Sequence, residues 1–512
     1  MKSRHCLLII FSTLVIFFAA GGLNQTVAQE SPDYWPTKVW RTSPLEKQGI
    51  DSKKLAEAID YIMENDPNIH SMLVIRNGYI VTDAYFYPFA ADAKHDIASV
   101  TKSITSTLIG IAIQKGYIKS VKQTVLDFFP GRKIANLDEE KKAITVEDLL
   151  TMKSGMKCIN RPTEVTLGQM MGSPNWVQFM LDLPMTDKPG THFVYNSGAV
   201  HLLSAIIHQA SGMTTLEFAQ NHLFNHLGIT DVIWPTGPQG NNYGWGSVRI
   251  KPHAMAKLGY LYLQKGMWDG EKILSPEWVA AATSKPDEHM SENYGYLWWL
   301  IPTDVYFASG RGGQHIYVIP SKNMVVVFTG GGARLISKVL NTYIMPAVLQ
   351  DTPLPANPES EALLLSKIRQ AAQKPQTNPE PAKPLPEVAQ MISGKTFTLE
   401  PNTLGLLGIT LTFPEQNNAV LKIDMALDTD RSPEYKIGLD NVHRISPARF
   451  GIPAAGKGCW MSDNTFHIDI NEIGNINRFR ITLTFEGNMV SGKLEEFTGL
   501  GSVTIIGRLK EQ

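Results

Sequence analysis

The sequence predicts two folded units of different class: a mixed helix-and-strand unit over residues 35–350 and a small all-β unit over residues 388–512. Three observations carry this. β-rich runs at 72–75 and 79–81 flank Arg76-Asn77-Gly78, and Asn-Gly between such runs is the strongest short hairpin signal. A stretch rich in helix signals, 120–300, gives way to strand signals at 304–319 and 324–328, joined by the turn Pro320-Ser321-Lys322-Asn323. After Val388 the pattern is of short strands, the clearest being Arg478-Phe479-Arg480-Ile481-Thr482-Leu483-Thr484-Phe485, where polar and apolar residues alternate strictly.

Taken in order, the chain opens on Lys2 and Arg4, an apolar run at 7–20 and the small-residue stretch Thr26-Val27-Ala28. This reads as a signal peptide over 1–28, with a periplasmic or secreted mature protein. The run is short for a membrane span of about 20 residues, and nothing later reads as one. Gly49-Ile50-Asp51-Ser52 precedes a helix over 54–63, and an apolar helix follows Ser99. Thr145 and Asp148 make a capping-box-like start before Leu149-Leu150. A last helix covers 335–349. Eight prolines between Asp351 and Pro386 surround a helix candidate at 359–373. That composition predicts a semi-rigid linker over 351–387. Strands at 409–413, 419–425, 466–470 and 502–506 complete a barrel or sandwich of about 120 residues, an ordinary domain size.

The bulk properties narrow the function. The 512 residues carry a net charge of −1, so no basic excess points to nucleic acid. No His-Glu-x-x-His, no Cys-x-x-Cys and no phosphate-cradling glycine loop is present, so no metal or other cofactor is predicted. No Gly-x-Ser-x-Gly elbow is present either, which argues against an α/β-hydrolase. Cys158 and Cys459 would remain after signal cleavage, and sequence alone does not decide whether they pair.

The chemistry concentrates in Ser99-Val100-Thr101-Lys102, followed at once by the apolar stretch 103–113. Serine and lysine at i and i+3 project from one helix face. A serine hydroxyl is a weak nucleophile until a neighbouring base takes its proton, and a neutral amine serves. A helix N-terminus also favours an oxyanion beside it. Alone the pattern is weak: a chain of this length carries about one or two by chance at average composition. A second copy, Ser154-Gly155-Met156-Lys157, lacks the apolar helix and reads as structure. The bland role for Ser99 is a helix N-cap.

Two more segments change that balance: Tyr195-Asn196-Ser197-Gly198, leading into a helix, and Ala308-Ser309-Gly310-Arg311-Gly312-Gly313-Gln314, entering a strand. With Ser99-Val100-Thr101-Lys102 they resemble, in order and spacing, the serine β-lactamase and penicillin-binding-protein family, nearest its class C branch. The resemblance covers about 40–350. It implies an α+β fold: an antiparallel sheet flanked by helices, plus a mostly helical subdomain. It also implies an acyl-enzyme hydrolase acting on peptide, β-lactam or small ester substrates. Ser99 then matches the nucleophile, Lys102 the base and Tyr195 the proton shuttle. The backbone N–H groups of Ser99 and Gln314 match the oxyanion hole. Ser197, Arg311, Gly312 and Gly313 match substrate-binding positions. Ser197 stands where the family usually has asparagine, and Arg311-Gly312-Gly313 in the place of Lys-Thr-Gly. The other reading of the resemblance is a catalytically inactive binding or regulatory relative, since fold does not fix function.

Overall fold

The computed structural model describes residues 34–510 apart from 67, 162–163, 287, 289, 375–378, 403, 426–432, 449–451 and 499–500. The predicted signal peptide lies outside the described residues. No helix among those described is long and apolar enough to cross a membrane.

The first unit is built on a six-stranded sheet. Its strands are β1 (Ile69–Arg76), β2 (Tyr79–Tyr85), β3 (Trp299–Leu300), β4 (Tyr306–Gly310), β5 (Gln314–Ile319) and β6 (Met324–Gly330). Their spatial order is β2-β1-β6-β5-β4-β3, antiparallel throughout. The β1–β2 turn is the expected one: Asn77 and Gly78 both have positive φ, 51° and 82°, as a type I′ hairpin turn requires.

Period-two alternation divides the sheet between two cores. Leu73, Ile75, Ile316, Val318, Val325 and Val327 face one, and Met72, Val74, Tyr317, Ile319, Val326 and Phe328 the other. Helix α1 (Ser52–Asn65), started by an Asp51 cap on the Lys53 N–H, buries Leu55, Ile59 and Ile62 in the second core. Helix α2 (Val100–Gln114) fills the first. Its residues from Val100 to Ala112 are all buried, Lys102 and its hydroxyl-bearing residues included. Helices α3 (Ser197–Ser211) and α4 (Pro252–Leu263) also pack into that core.

The proline-rich segment packs on the units at both of its ends. Its helix α5 (Pro358–Ala372) buries Leu364 and Ala371 in the second core. Lys367 pairs with Asp60 of α1 at 2.8 Å, and the Tyr87 N–H donates to the Ala371 carbonyl at 2.8 Å. Downstream, the Glu380 N–H donates to the Asp440 carbonyl at 3.0 Å, fixing that stretch to the β unit. Proline spacing here accompanies packing against both units, with apolar residues between the prolines doing the anchoring.

The C-terminal strands are β7 (Lys395–Leu399), β8 (Leu406–Glu415), β9 (Asn418–Met425), β10 (Glu434–Gly438), β11 (Arg444–Pro447), β12 (Pro453–Trp460), β13 (Thr465–Glu472), β14 (Arg478–Glu486), β15 (Met489–Glu496) and β16 (Gly501–Leu509). Neighbouring strands pair antiparallel. A parallel contact between β10 and β12 closes nine of them into a barrel, with β11 outside. Closure removes the exposed edges that an open sheet would leave. The barrel also feeds the first unit: Ala455 and Ile473 belong to the core around α2. Cys158 and Cys459 are both free.

Candidate active site

Ser99 immediately precedes α2, and its hydroxyl does not cap the helix. Instead Lys102 Nζ lies 2.8 Å from Ser99 Oγ and 2.9 Å from the Trp245 carbonyl. Lys102 is 1% exposed, so its amine is held between these two oxygens away from bulk water. Two further bonds tie α2 to the same stretch. Thr105 Oγ1 donates to the Gly244 carbonyl at 2.7 Å, and the Val248 N–H donates to Thr101 Oγ1 at 3.2 Å. Gly244 is required there: a Cβ would sit 2.4 Å from the Val200 carbonyl of α3.

Tyr195 completes the cluster. Lys102 Nζ stands 4.8 Å from its ring centroid. The ring stacks on Trp299 at 6.3 Å, and Trp299 meets Tyr294 edge-on at 4.7 Å. Trp298 faces the other way, into the core against Tyr262 and Tyr306. Burial raises the Tyr294 phenol, with Tyr195 adding to the shift, so it stays neutral. Burial also pushes the Cys158 thiol up to about 11, so it is no rival thiolate near neutral pH.

Asn196 caps α3, its Oδ1 accepting the Ala199 N–H at 3.0 Å. That leaves Asn196 Nδ2 and Ser197 Oγ buried with no protein partner among the described residues. A buried polar group without a partner is costly, so both are candidates to meet water or substrate.

Strain marks the same place. Ala98, Met152 and Leu297 have positive φ of 46°, 59° and 61°, where a side chain costs on the order of 1 kcal/mol. Each abuts the cluster. Ala98 precedes Ser99 and is held by Asp96 Oδ1, which accepts its N–H at 2.8 Å. The Met152 carbonyl accepts the Val194 N–H, and the Leu297 carbonyl accepts the Ser103 hydroxyl at 2.7 Å.

The third motif is placed differently from the sequence reading. The strand beside Ser99 is β4, and its last residue, Gly310, meets Ile97 and Ala98. A Cβ on Gly310 would lie 2.6 Å from the Ile97 carbonyl and 3.0 Å from Ala98 Cβ. Among the described residues β3 pairs only with Tyr306 and Phe307, leaving that edge of Ala308–Gly310 open beside Ser99. Gln314 stands one strand further in, on β5 between β4 and β6. Its side chain bonds Gly330 from both ends, Nε2 to the carbonyl at 2.5 Å and Oε1 to the N–H at 3.2 Å. Its backbone is therefore not at the open edge, and Gly310, rather than Gly312 or Gly313, is the glycine that meets the segment before Ser99.

Gly312 and Gly313 form the β4–β5 turn, with φ of 84° and 100°. Gly312 packs on Ile476 of the barrel, and Gly313 on Ala333 and Ile336. The Arg311 guanidinium, matched from the sequence to a substrate-binding position, is engaged by the barrel instead. Nη2 donates to Asn477 Oδ1 at 2.9 Å, Nη1 donates to Thr498 Oγ1, and Nη1 lies 3.6 Å from Glu496 Oε1. Gly310 follows a small hydroxyl residue inside the stretch 304–319 read as strand, and nothing in that pattern shows that the strand ends at Gly310.

The histidines near the motifs lie apart from the cluster. His192 is exposed and pairs with Asp187 at 2.9 Å. His315 lies against Phe307 and Tyr317 on the opposite face of the sheet from α2. The second Ser-x-x-Lys does not converge either: Ser154 is buried and Lys157 exposed.

Residues 64–332, more than half of the chain, match the profile of the family described as Beta-lactamase. The chain belongs to the beta-lactamase family. This beta-lactamase-family chain is 22% identical over 280 residues to the 6-aminohexanoate-dimer hydrolase of Paenarthrobacter ureafaciens, covering 50% of this chain and 71% of that protein. It is 22% identical over 331 residues to an uncharacterised protein of Alkalihalophilus pseudofirmus, covering 54% and 86%. Among solved structures, a Bacillus anthracis protein provisionally named a 6-aminohexanoate-dimer hydrolase superposes with a TM-score of 0.52 at 18% identity, covering 62% of this chain and 89% of that one. That likeness concerns the fold. Together these findings bear out the family resemblance and the fold class read from the sequence.

Proposed function

We propose that this beta-lactamase-family chain is a serine hydrolase that cleaves amide bonds through an acyl-enzyme on Ser99. The observation that carries this is the buried Lys102 amine, fixed at 2.8 Å from Ser99 Oγ. In the reactive state neutral Lys102 accepts the Ser99 proton as Oγ attacks the substrate carbonyl carbon. The carbonyl oxygen takes up the electron pair and is held by backbone N–H groups, that of Ser99 and one from the open end of β4 at Ser309–Arg311. Such donors are worth about 3–4 kcal/mol of transition-state stabilisation. Collapse of the tetrahedral intermediate breaks the C–N bond. The proton held by Lys102 passes by way of the Tyr195 phenol to the departing amine, leaving Ser99 acylated. Water then attacks the acyl carbon, loses a proton to the same pair, and Ser99 Oγ leaves with a proton restored.

The substrate class is a small-molecule or peptide amide, D-amino-acid peptides and β-lactams included, with small esters as the alternative acyl donors. The relative from Paenarthrobacter, named for hydrolysis of a 6-aminohexanoate dimer, supports an amide. Ser197 Oγ and Asn196 Nδ2, both lacking protein partners among the described residues, are positioned for a substrate amide or for water. Export by the segment 1–28 is part of the proposal, and the mature chain would then begin at Gln29. Intact-mass analysis of full-length protein with a panel of D-Ala peptides, penicillins, short esters and 6-aminohexanoate dimer tests the reading. An adduct on Ser99, absent in Ser99→Ala, is expected. No adduct or turnover with any of them would refute the hydrolase assignment.

A further inference from the structure

Two of the contacts between the C-terminal barrel and the catalytic unit lie next to the nucleophile. The first is on the strand before it. The Gly474 carbonyl of the barrel accepts the Asp96 N–H at 2.8 Å. Asp96 Oδ1 in turn holds the Ala98 N–H at 2.8 Å, and Asp96 lies 3.5 Å from Arg249. Two hydrogen bonds thus join the barrel to the strained residue that precedes Ser99. Gly474 fits because it is bare: a Cβ there would stand 2.7 Å from the Lys94 carbonyl.

The second place is the end of β4. Arg311 follows Gly310 directly, and its guanidinium is shared by Asn477, Thr498 and Glu496. Ile476 fills the space over Gly312, closely enough to exclude any side chain there. The barrel side is preset. Glu472, buried, receives the Asn475 and Asn477 amides at 2.7 and 3.3 Å and the Tyr435 hydroxyl at 3.1 Å. Glu496 receives the Thr498 N–H at 3.0 Å as well as its hydroxyl. A preset fork of acceptors suits the planar guanidinium.

The two grips hold opposite sides of one narrow gap. Ile97–Ala98 and Gly310 are in contact, and the two oxyanion donors proposed above sit on either side of it. Donors of this kind work only when held within a few tenths of an ångström of the developing charge.

We infer that the barrel acts as a clamp on the oxyanion cradle, with Gly474, Asn477 and Thr498 as positioning residues that act through Asp96 and Arg311. This deepens the serine-hydrolase reading and rests on it. The clamp sets the rate of acylation without touching the substrate. Breaking it lowers kcat and leaves KM in place.

The test uses full-length protein and p-nitrophenyl acetate, with Ser99→Ala as the blank. The double variant Asn477→Ala/Thr498→Val removes two acceptors from Arg311. It should lose at least tenfold in kcat with KM changed less than twofold, assayed well below its melting temperature. Thr498→Ser keeps the hydroxyl and should retain wild-type kcat. Arg311→Lys keeps the charge but cannot serve the fork, and should show the same kcat loss should the double variant not fold. Wild-type kcat in the double variant and in Arg311→Lys, or an equal loss in Thr498→Ser, overturns the clamp while leaving the hydrolase reading intact. Absence of Ser99-dependent acylation in the wild type overturns both.

Discussion

Lys102 Nζ bridges the Ser99 hydroxyl and the Trp245 carbonyl, at 2.8 and 2.9 Å. Among the described residues no carboxylate pairs with this amine: the second oxygen is a backbone carbonyl that orients it. Replacing Lys102 with methionine keeps the apolar stem and removes the base. The expected loss in acylation rate is about 10²–10⁴-fold, with the fold retained by circular dichroism. Stopped-flow acylation with an activated ester measures it. A rate within threefold of wild type would remove Lys102 from the mechanism.

Tyr195 lies over the same amine and is assigned to the leaving group. An amine leaves poorly unless protonated, whereas p-nitrophenolate leaves unaided. Tyr195→Phe should therefore slow amide cleavage by about 10²–10⁴-fold and ester acylation much less. The ratio of the two rates, taken on one preparation, is the check. Equal losses on both substrates contradict a proton-shuttling role.

Gly310 faces the Ile97 carbonyl with no room for a methyl group. Gly310→Ala should force β4 away from Ser99 and cost about 10²–10³-fold in kcat, the size of one lost oxyanion donor. Gly116 is the control: its φ is +79°, and an added methyl would meet nothing within 4 Å. Its alanine variant should cost on the order of 1 kcal/mol of stability and no activity. Steady-state kinetics and urea unfolding on both variants separate strain from catalysis.

Burial holds His95 and His315 at about 4 and His201 at about 3, against an ordinary value of 6.5. In His95 a hydrogen bond to the Asp96 carbonyl partly offsets this. Its Nδ1–H therefore donates to that carbonyl, and its Nε2 receives the Nδ1–H of His70 at 3.0 Å. The unfolded chain takes up these protons below pH 6.5 while the folded chain does not. Stability is therefore full above pH 6.5 and falls as the pH drops toward 4. Each histidine contributes up to about 1.4 kcal/mol per pH unit in that window. Urea unfolding at pH 7.5 and 5.5 should show a loss of a few kcal/mol. Equal stability at both values would contradict neutral burial of these rings.

Much of this was legible in the sequence, for identifiable reasons. The Asn77-Gly78 hairpin, the apolar α2 and the alternating β14 follow from local pattern, and each stands where that pattern puts it. The approach of Tyr195 to Lys102 followed from family spacing. What stayed hidden depends on contacts distant in sequence. Nothing near Arg311 shows that its partners are 166 and 187 residues away. Nothing in the proline-rich stretch shows that Leu364 and Ala371 have a core to enter. The shift from Gln314 to Gly310 is a register matter: strand limits read from sequence are loose, and a few residues decide which backbone faces the nucleophile.

The barrel closes in part by pairing β7 with β16, Phe397 opposite Leu509. Ser99 and Lys102 lie in the first unit, so a chain cut before β16 carries the proposed nucleophile and base beside a barrel that lacks its closing strand. On the clamp proposal, such a chain is expected to react poorly at Ser99 even where its first unit has folded.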